Sequence, residues 1–228
     1  MHVEIRHQPS FAVARCHLSP GESMRAESGA MSAMSYGIDV TSDTAGGIGK
    51  ALKRSLMGGE SFFVTTYTAG PQYAGWVDVG ATLPGDALTV DITPQRALVA
   101  TRGTWLANST GVTLESRWGG SQMFFGGEGG FVVRMSGEGS VVLGAYGAVE
   151  CHELPAGTGF TLDTGHLVAY EEGIQVSTRR ISRGMTDTLK TGEGLVMDLV
   201  GPGRVWTQSR NPNQLVAWLT LVLPFSRG

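Results

Sequence analysis

The sequence predicts an all-β protein assembled from three similar modules, and three observations carry that reading. Glycine accounts for 34 of the 228 residues, about twice its usual share, and the glycines stand between short apolar runs, the signature of many tight turns joining strands. Apolar side chains alternate at period two on either side of these glycines, which places them on one face of a strand. Finally, one arrangement of strand, turn, strand, hairpin and strand occurs three times along the chain.

The three copies align without a gap: LSPGESMRAESGAMSAMSYGIDVTSDT from Leu18, ITPQRALVATRGTWLANSTGVTLESRW from Ile92 and LPAGTGFTLDTGHLVAYEEGIQVSTRR from Leu154. Each opens on an apolar pair at period two (Met24/Ala26, Leu98/Ala100, Phe160/Leu162) followed by a recurring glycine (Gly29, Gly103, Gly165). A large apolar residue comes next (Met31, Trp105, Leu167), with an alanine two positions on (Ala33, Ala107, Ala169). A second glycine (Gly37, Gly111, Gly173) is expected to close a short hairpin at positive φ. A third apolar pair then completes the copy (Ile38/Val40, Val112/Leu114, Ile174/Val176). Beyond each copy a Gly-Glu pair, with Glu60, Glu128 and Glu193 in equivalent places, leads into another apolar strand and a glycine turn. The expected organisation is a single all-β domain over 1–228, with units at about 12–85, 86–148 and 149–224.

One segment departs from the β pattern. Gly46–Leu56 carries Ile48, Leu52 and Leu56 at helical spacing, with Lys50, Lys53 and Arg54 elsewhere on the turn, and predicts one short helix near 47–57. The longest apolar stretch, Leu215–Pro224 (LVAWLTLVLP), alternates enough to be read as a C-terminal strand. It is well short of the ~20 residues a spanning helix needs.

Pro20-Gly21-Glu22 at the opening of the first copy, and above all GGIGKALKRSLMGGESFF at 46–63, resemble the altered-inheritance-of-mitochondria 24 family, also catalogued as domain of unknown function 124. The resemblance covers nearly the whole chain. It implies a β-sandwich of three pseudo-repeats, of the tryptophan-RNA-binding-attenuation-protein-like fold and related to the double-stranded β-helix. It supplies no catalytic residues to carry over; a fungal mitochondrial member is tied to inner-membrane architecture.

The motifs of common chemistries are missing. Gly49-Lys50 lacks the glycine five positions earlier, where Thr44 stands, and the hydroxyl after the lysine, where Ala51 stands, so it is not a phosphate loop. There is no G-x-S-x-G elbow and no H-x-H pair of a metallo-cupin. Cys16-His17 and Cys151-His152 could offer two thiols and two imidazoles to zinc. Neighbouring strand residues point to opposite faces, however, and the better reading is a pair of small buried thiols beside half-exposed imidazoles. The expectation is therefore no catalytic, cofactor or metal site. Net charge is −3 with 17 basic against 20 acidic residues, clustered only at Lys50–Arg54 and at Arg179/Arg180/Arg183, which excludes a general nucleic-acid binder.

Two constellations are left as candidates. Lys50, Lys53 and Arg54 would contact a protein partner or an anionic membrane surface. Glu60, Glu128 and Glu193 would lie on a common ring if the modules surround an axis. The leading functional expectation is a non-enzymatic scaffold or interaction protein working at a membrane surface. The alternatives are a small-ligand or metal-ion binder and, third, an enzyme. Without a basic and then apolar leader, and with only two cysteines, the chain is expected to be cytoplasmic. Exposed strand edges lead to the expectation of a homo-oligomer, with a trimer as the first guess.

Overall fold

The computed structural model describes residues 1–42, 64–101, 103–118, 131–179 and 195–223. A leading strand, β1 (His2–Arg6), precedes three runs of six strands. The first run is β2 (Val13–Leu18), β3 (Ser23–Glu27), β4 (Met31–Met34), β5 (Ile38–Ser42), β6 (Val64–Ala69) and β7 (Gly75–Val79). The second is β8 (Ala87–Ile92), β9 (Leu98–Thr101), β10 (Trp105–Ser109), β11 (Val112–Trp118), β12 (Phe131–Gly137) and β13 (Gly139–Gly144). The third is β14 (Val149–Leu154), β15 (Gly159–Asp163), β16 (Leu167–Glu171), β17 (Gln175–Arg179), β18 (Val196–Val200) and β19 (Gly203–Gln208). A helix, α1 (Pro212–Val222), follows. Among the described residues the fold is all-β apart from this helix and one 3₁₀ turn at Thr164–His166.

The strands form four antiparallel sheets, ordered β1-β2-β7-β4, β5-β6-β3-β10-β13-β8, β11-β12-β9-β16-β19-β14 and β15-β18-β17. The runs interlock. Each gives its second, fourth and fifth strands to one sheet and its first, third and sixth to the sheet before it. Two seams join successive runs. In the first, β3 meets β10 with Ala26 opposite Ala107 and Arg25 opposite Asn108. In the second, β9 meets β16 with Ala100 opposite Ala169 and Val99 opposite Tyr170.

The central strands of both six-stranded sheets are buried on two faces. On β10 and β13, Leu106, Ala107 and Val142 enter one core with Met24, Ile38 and Val77. Trp105, which precedes Leu106, and Val141 and Leu143, which flank Val142, enter the next core with Leu98, Leu114 and Met135. Likewise Val99 and Tyr170 face a third core with Met197, Leu199 and Val205. Two-sided burial explains the unbroken apolar runs of β9, β10 and β16. The third strand of every run carries the same irregularity, a register shift at Met31/Ala33, Trp105/Ala107 and Leu167/Ala169.

The recurring glycines have more than one physical reason. Gly29, Gly103 and Gly37 take φ of +94°, +80° and +85°, where a side chain is strained. The expected positive φ fails at Gly111, the equivalent of Gly37, because that turn is set by proximity. A side chain there would collide with the Glu138 carbonyl oxygen. Gly173 likewise needs no positive φ, and a Cβ would sit 3.2 Å from the Pro202 carbonyl oxygen.

The expected C-terminal strand is instead helical. Asn211 caps α1, its Oδ1 accepting from the Asn213 N–H at 2.9 Å, and Pro212 occupies the first turn, where its missing N–H costs nothing. The helix predicted near 47–57 lies outside the described residues.

Candidate functional site

Lys50, Lys53, Arg54, Glu60, Glu128 and Glu193 all lie outside the described residues, as do Arg180 and Arg183. The flanking strands do fix their place in the topology. Residues 43–63 join β5 to β6, 119–130 join β11 to β12, and 180–194 join β17 to β18. The three glutamates thus belong to the same connection of each run.

The two Cys-His dipeptides are not equivalent. In the repeat frame Cys16 corresponds to His152, so the dipeptides are one residue out of step, and a one-residue slip exchanges faces. Cys16 is fully buried between Ala14 and Leu18, whereas Cys151 is exposed, which corrects the expectation of two buried thiols. Burial, reinforced by the Asp78 charge, pushes the Cys16 thiol up to about 12. Its thiolate fraction at pH 8 is then about one in ten thousand. Labelling of the native protein with a thiol reagent is expected to modify Cys151 promptly and Cys16 only on unfolding. Two equally fast thiols in the native state would contradict this burial. His152 meets Thr207 Oγ1 at 3.0 Å and the Phe160 ring at 4.8 Å between centroids. Among the described residues no three His, Cys, Asp or Glu side chains are placed to hold a metal ion.

The end sheets carry ionic networks on their outer faces. Asp78 on β7 stands where β13 has Val142 and β19 has Trp206, both apolar. It accepts from Arg15 Nε at 2.8 Å and Nη2 at 2.9 Å, and from Arg6 Nη2 at 2.7 Å. Burial alone would push this carboxyl up. The hydrogen bond from Arg15 and the charges of Arg6 and Arg15 outweigh it and hold Asp78 below the usual carboxylate range. The Arg15 guanidinium lies 3.8 Å from the Trp76 ring centroid. At the other end Asp198 accepts from Arg179 Nε at 2.8 Å and from Thr161 Oγ1 at 2.6 Å, which lowers its pKa. A polar outer face on the terminal layer is how stacked repeats meet water.

The most conspicuous surface feature is α1. Its start is fixed to the body: Asn211 is buried against Gly165, and the Arg210 N–H donates to the Tyr146 carbonyl at 3.2 Å. Beyond that anchor no helical residue is buried. Val216, Trp218, Leu221 and Val222 are 61%, 57%, 85% and 53% exposed, so apolar side chains project around most of the axis rather than along one stripe. The Thr220 hydroxyl donates to the Val216 carbonyl at 2.8 Å, which satisfies its one donor within the helix. No charge occurs from Asn211 to Ser226, and Arg210 and Arg227 bracket the stretch. No helix among the described residues is long and apolar enough to cross a membrane. Reading this segment as a strand missed the feature, although Asn-Pro ahead of Leu, Ala and Trp is a helix-start signal.

Comparison with known proteins places this architecture. An uncharacterised protein of Streptococcus pyogenes serotype M6 is 26% identical over 235 residues, covering 99% of this chain and 92% of that protein. The crystal structure of protein SPYM3_0169 from Streptococcus pyogenes superposes with a TM-score of 0.79 at 23% identity, covering 97% of this chain and 99% of that one, and so shares the fold. The family model described as mitochondrial biogenesis AIM24 matches residues 3–210, from the second residue of β1 through β19 and none of α1. With its strands matched from end to end, the chain belongs to the mitochondrial biogenesis AIM24 family.

Proposed function

We propose that this protein is a non-enzymatic scaffold that works at a membrane surface, held there by α1. The carrying observation is the exposed apolar side chains of a helix whose capping residue, Asn211, is locked to the body. A groove on a protein partner covers one side of a helix, while lipid covers all of them. Apolar residues exposed around the axis therefore favour lipid over a groove. Eleven residues rise about 16 Å, half of the ~30 Å hydrocarbon core. The helix enters one leaflet and leaves the β body outside. Trp218 suits the headgroup boundary, and Lys50, Lys53 and Arg54 add attraction to anionic lipid when they face the same surface.

Flotation of the purified full-length chain with phosphatidylcholine vesicles, with and without phosphatidylglycerol, tests this reading. The unmodified chain is expected to float with both and more strongly with the anionic lipid. None of Trp218, Leu221 and Val222 is buried, so a variant with all three replaced by serine folds normally. It is expected to stay at the bottom of the gradient, each residue weakening partition by about tenfold. Alanine at Lys50, Lys53 and Arg54 is expected to lower only the anionic increment. An unmodified chain that fails to float with either vesicle overturns the proposal.

A further inference from the structure

We propose that copies of this chain associate head to tail, with the outer edge of β4 in one copy pairing antiparallel with the outer edge of β15 in the next. The repeat frame assigns both strands a partner that none of the described strands supplies. The second strand of each run joins the third strand of the following run, β3 to β10 and β9 to β16. β15 is the second strand of the last run and has no following run; β4 is the third strand of the first run and has none before it. Among the described residues β4 pairs only with β7, and β15 only with β18.

Three further observations support this surface. First, β4 keeps the seam shape without the seam, since its shift at Met31/Ala33 matches those of β10 and β16. Second, the two positions that this register would oppose are less buried than their equivalents in the internal seams. Ala107 and Ala169 are 0% exposed, whereas Ala33 in the same position is exposed; Ala26 and Ala100 are 0% exposed, whereas Leu162 is half-buried. Third, every other edge strand carries a charge that discourages pairing: Glu4 on β1, Asp39 on β5, Asp91 on β8, Glu115 on β11, Glu150 and Glu153 on β14, and Arg179 on β17. β4 has no charged residue, and the only one on β15, Asp163, turns its carboxylate to the Gly165 N–H at 2.8 Å.

The internal seams dictate the register. Carrying Ala107 opposite Ala26 and Asn108 opposite Arg25 through the repeat alignment places Ala33 opposite Leu162 and Met34 opposite Thr161. The joined sheet has seven strands, β17-β18-β15 of one copy followed by β4-β7-β2-β1 of the next. The contact is heterologous, because each copy offers a different edge to each neighbour. It does not rest on the membrane reading, although copies held on one surface would meet at higher effective concentration.

Cysteine pairing tests the register in full-length chains that carry Cys151→Ser. One tagged population carries Ala33→Cys and another Leu162→Cys. Directly opposed Cα atoms lie about 4.5–5.5 Å apart in antiparallel pairs, within the span of a disulfide. Under mild oxidation the 33–162 disulfide is expected to form about tenfold faster than the pair of Ala33→Cys with Thr178→Cys on β17, an edge this association leaves open. Equal rates for the two pairs, or a 33–33 disulfide outpacing 33–162, overturn the proposal. Sedimentation of the unmodified chain is an independent arm that needs no variant. Mass rising with concentration is expected, and a single-copy mass at every concentration overturns the association.

Discussion

Replacing Trp105 by alanine is expected to destabilise the protein by about 3–5 kcal/mol, the usual cost of emptying an aromatic site in a packed core. Trp105 is 1% exposed and sits where β10 lines the central core with Leu98, Leu114, Met135 and Leu143. Its indole N–H donates to Asn108 Oδ1 at 3.1 Å, and the Asn108 amide donates to the carbonyls of Ser109 at 2.7 Å and Val112 at 3.3 Å. The substitution therefore opens a cavity and also strips a donor from an asparagine that is 0% exposed. Trp105→Phe keeps most of the volume and loses only the N–H, and is expected to cost about 1–3 kcal/mol. Urea midpoints of the two variants against the unmodified chain check both figures. An alanine variant within about 1 kcal/mol of the unmodified chain would refute the packing described for β10.

The second large effect belongs to Asp78. Asp78→Asn keeps the shape and removes the charge that two guanidiniums share. Breaking a buried ion pair from one side costs about 3–5 kcal/mol. Arg6 and Arg15 keep about a quarter of their side chains in water, and that hydration reduces the expected loss to about 2–3 kcal/mol at pH 7. The pH dependence follows from the direction of the shift. The folded-state pKa of Asp78 is lowered, so its contribution is complete above the unfolded carboxylate value of about 3.9 and disappears as pH falls through the folded value. Urea midpoints of Asp78→Asn and the unmodified chain should lie far apart at pH 7 and draw together as pH falls below about 3.9. A gap of constant size across that range would show that the carboxylate charge is not what holds Arg6 and Arg15.

The repeat itself was legible because its marks are local. Period-two pairs such as Met24/Ala26 and Leu98/Ala100 fall on β3 and β9, and the pairs after the second glycine fall on β5 and β11, while in the third copy Ile174 stands just ahead of β17 and Val176 on it. How the runs interlock was not legible, since alternation along a strand names its faces and not its neighbour. One clue was present. Trp-Leu-Ala in β10 and Leu-Val-Ala-Tyr in β16 are apolar at consecutive positions, while Met-Ser-Ala-Met in β4 is not, and that contrast separates strands buried on two faces from those of an end sheet. Cys16 and Cys151 looked alike as dipeptides and differ in exposure because the repeat frame offsets them by one residue. The helix at Pro212–Val222 was lost by weighing the alternation of LVAWLTLVLP above the Asn-Pro ahead of it. Of the candidate site residues, the basic trio at 50–54 and the three glutamates share connections outside the described residues, so α1 emerged from exposure alone.

Interleaving also shapes how the molecule resists damage. A polypeptide whose modules stood side by side like beads could lose one and keep the others intact. Here Leu106 and Val142 of the middle run help wall the first core, and Val99 and Val132 help wall the third. Fraying of the middle run therefore exposes its neighbours' interiors at the same moment, and the eighteen strands of the three runs stand or fall as a single body.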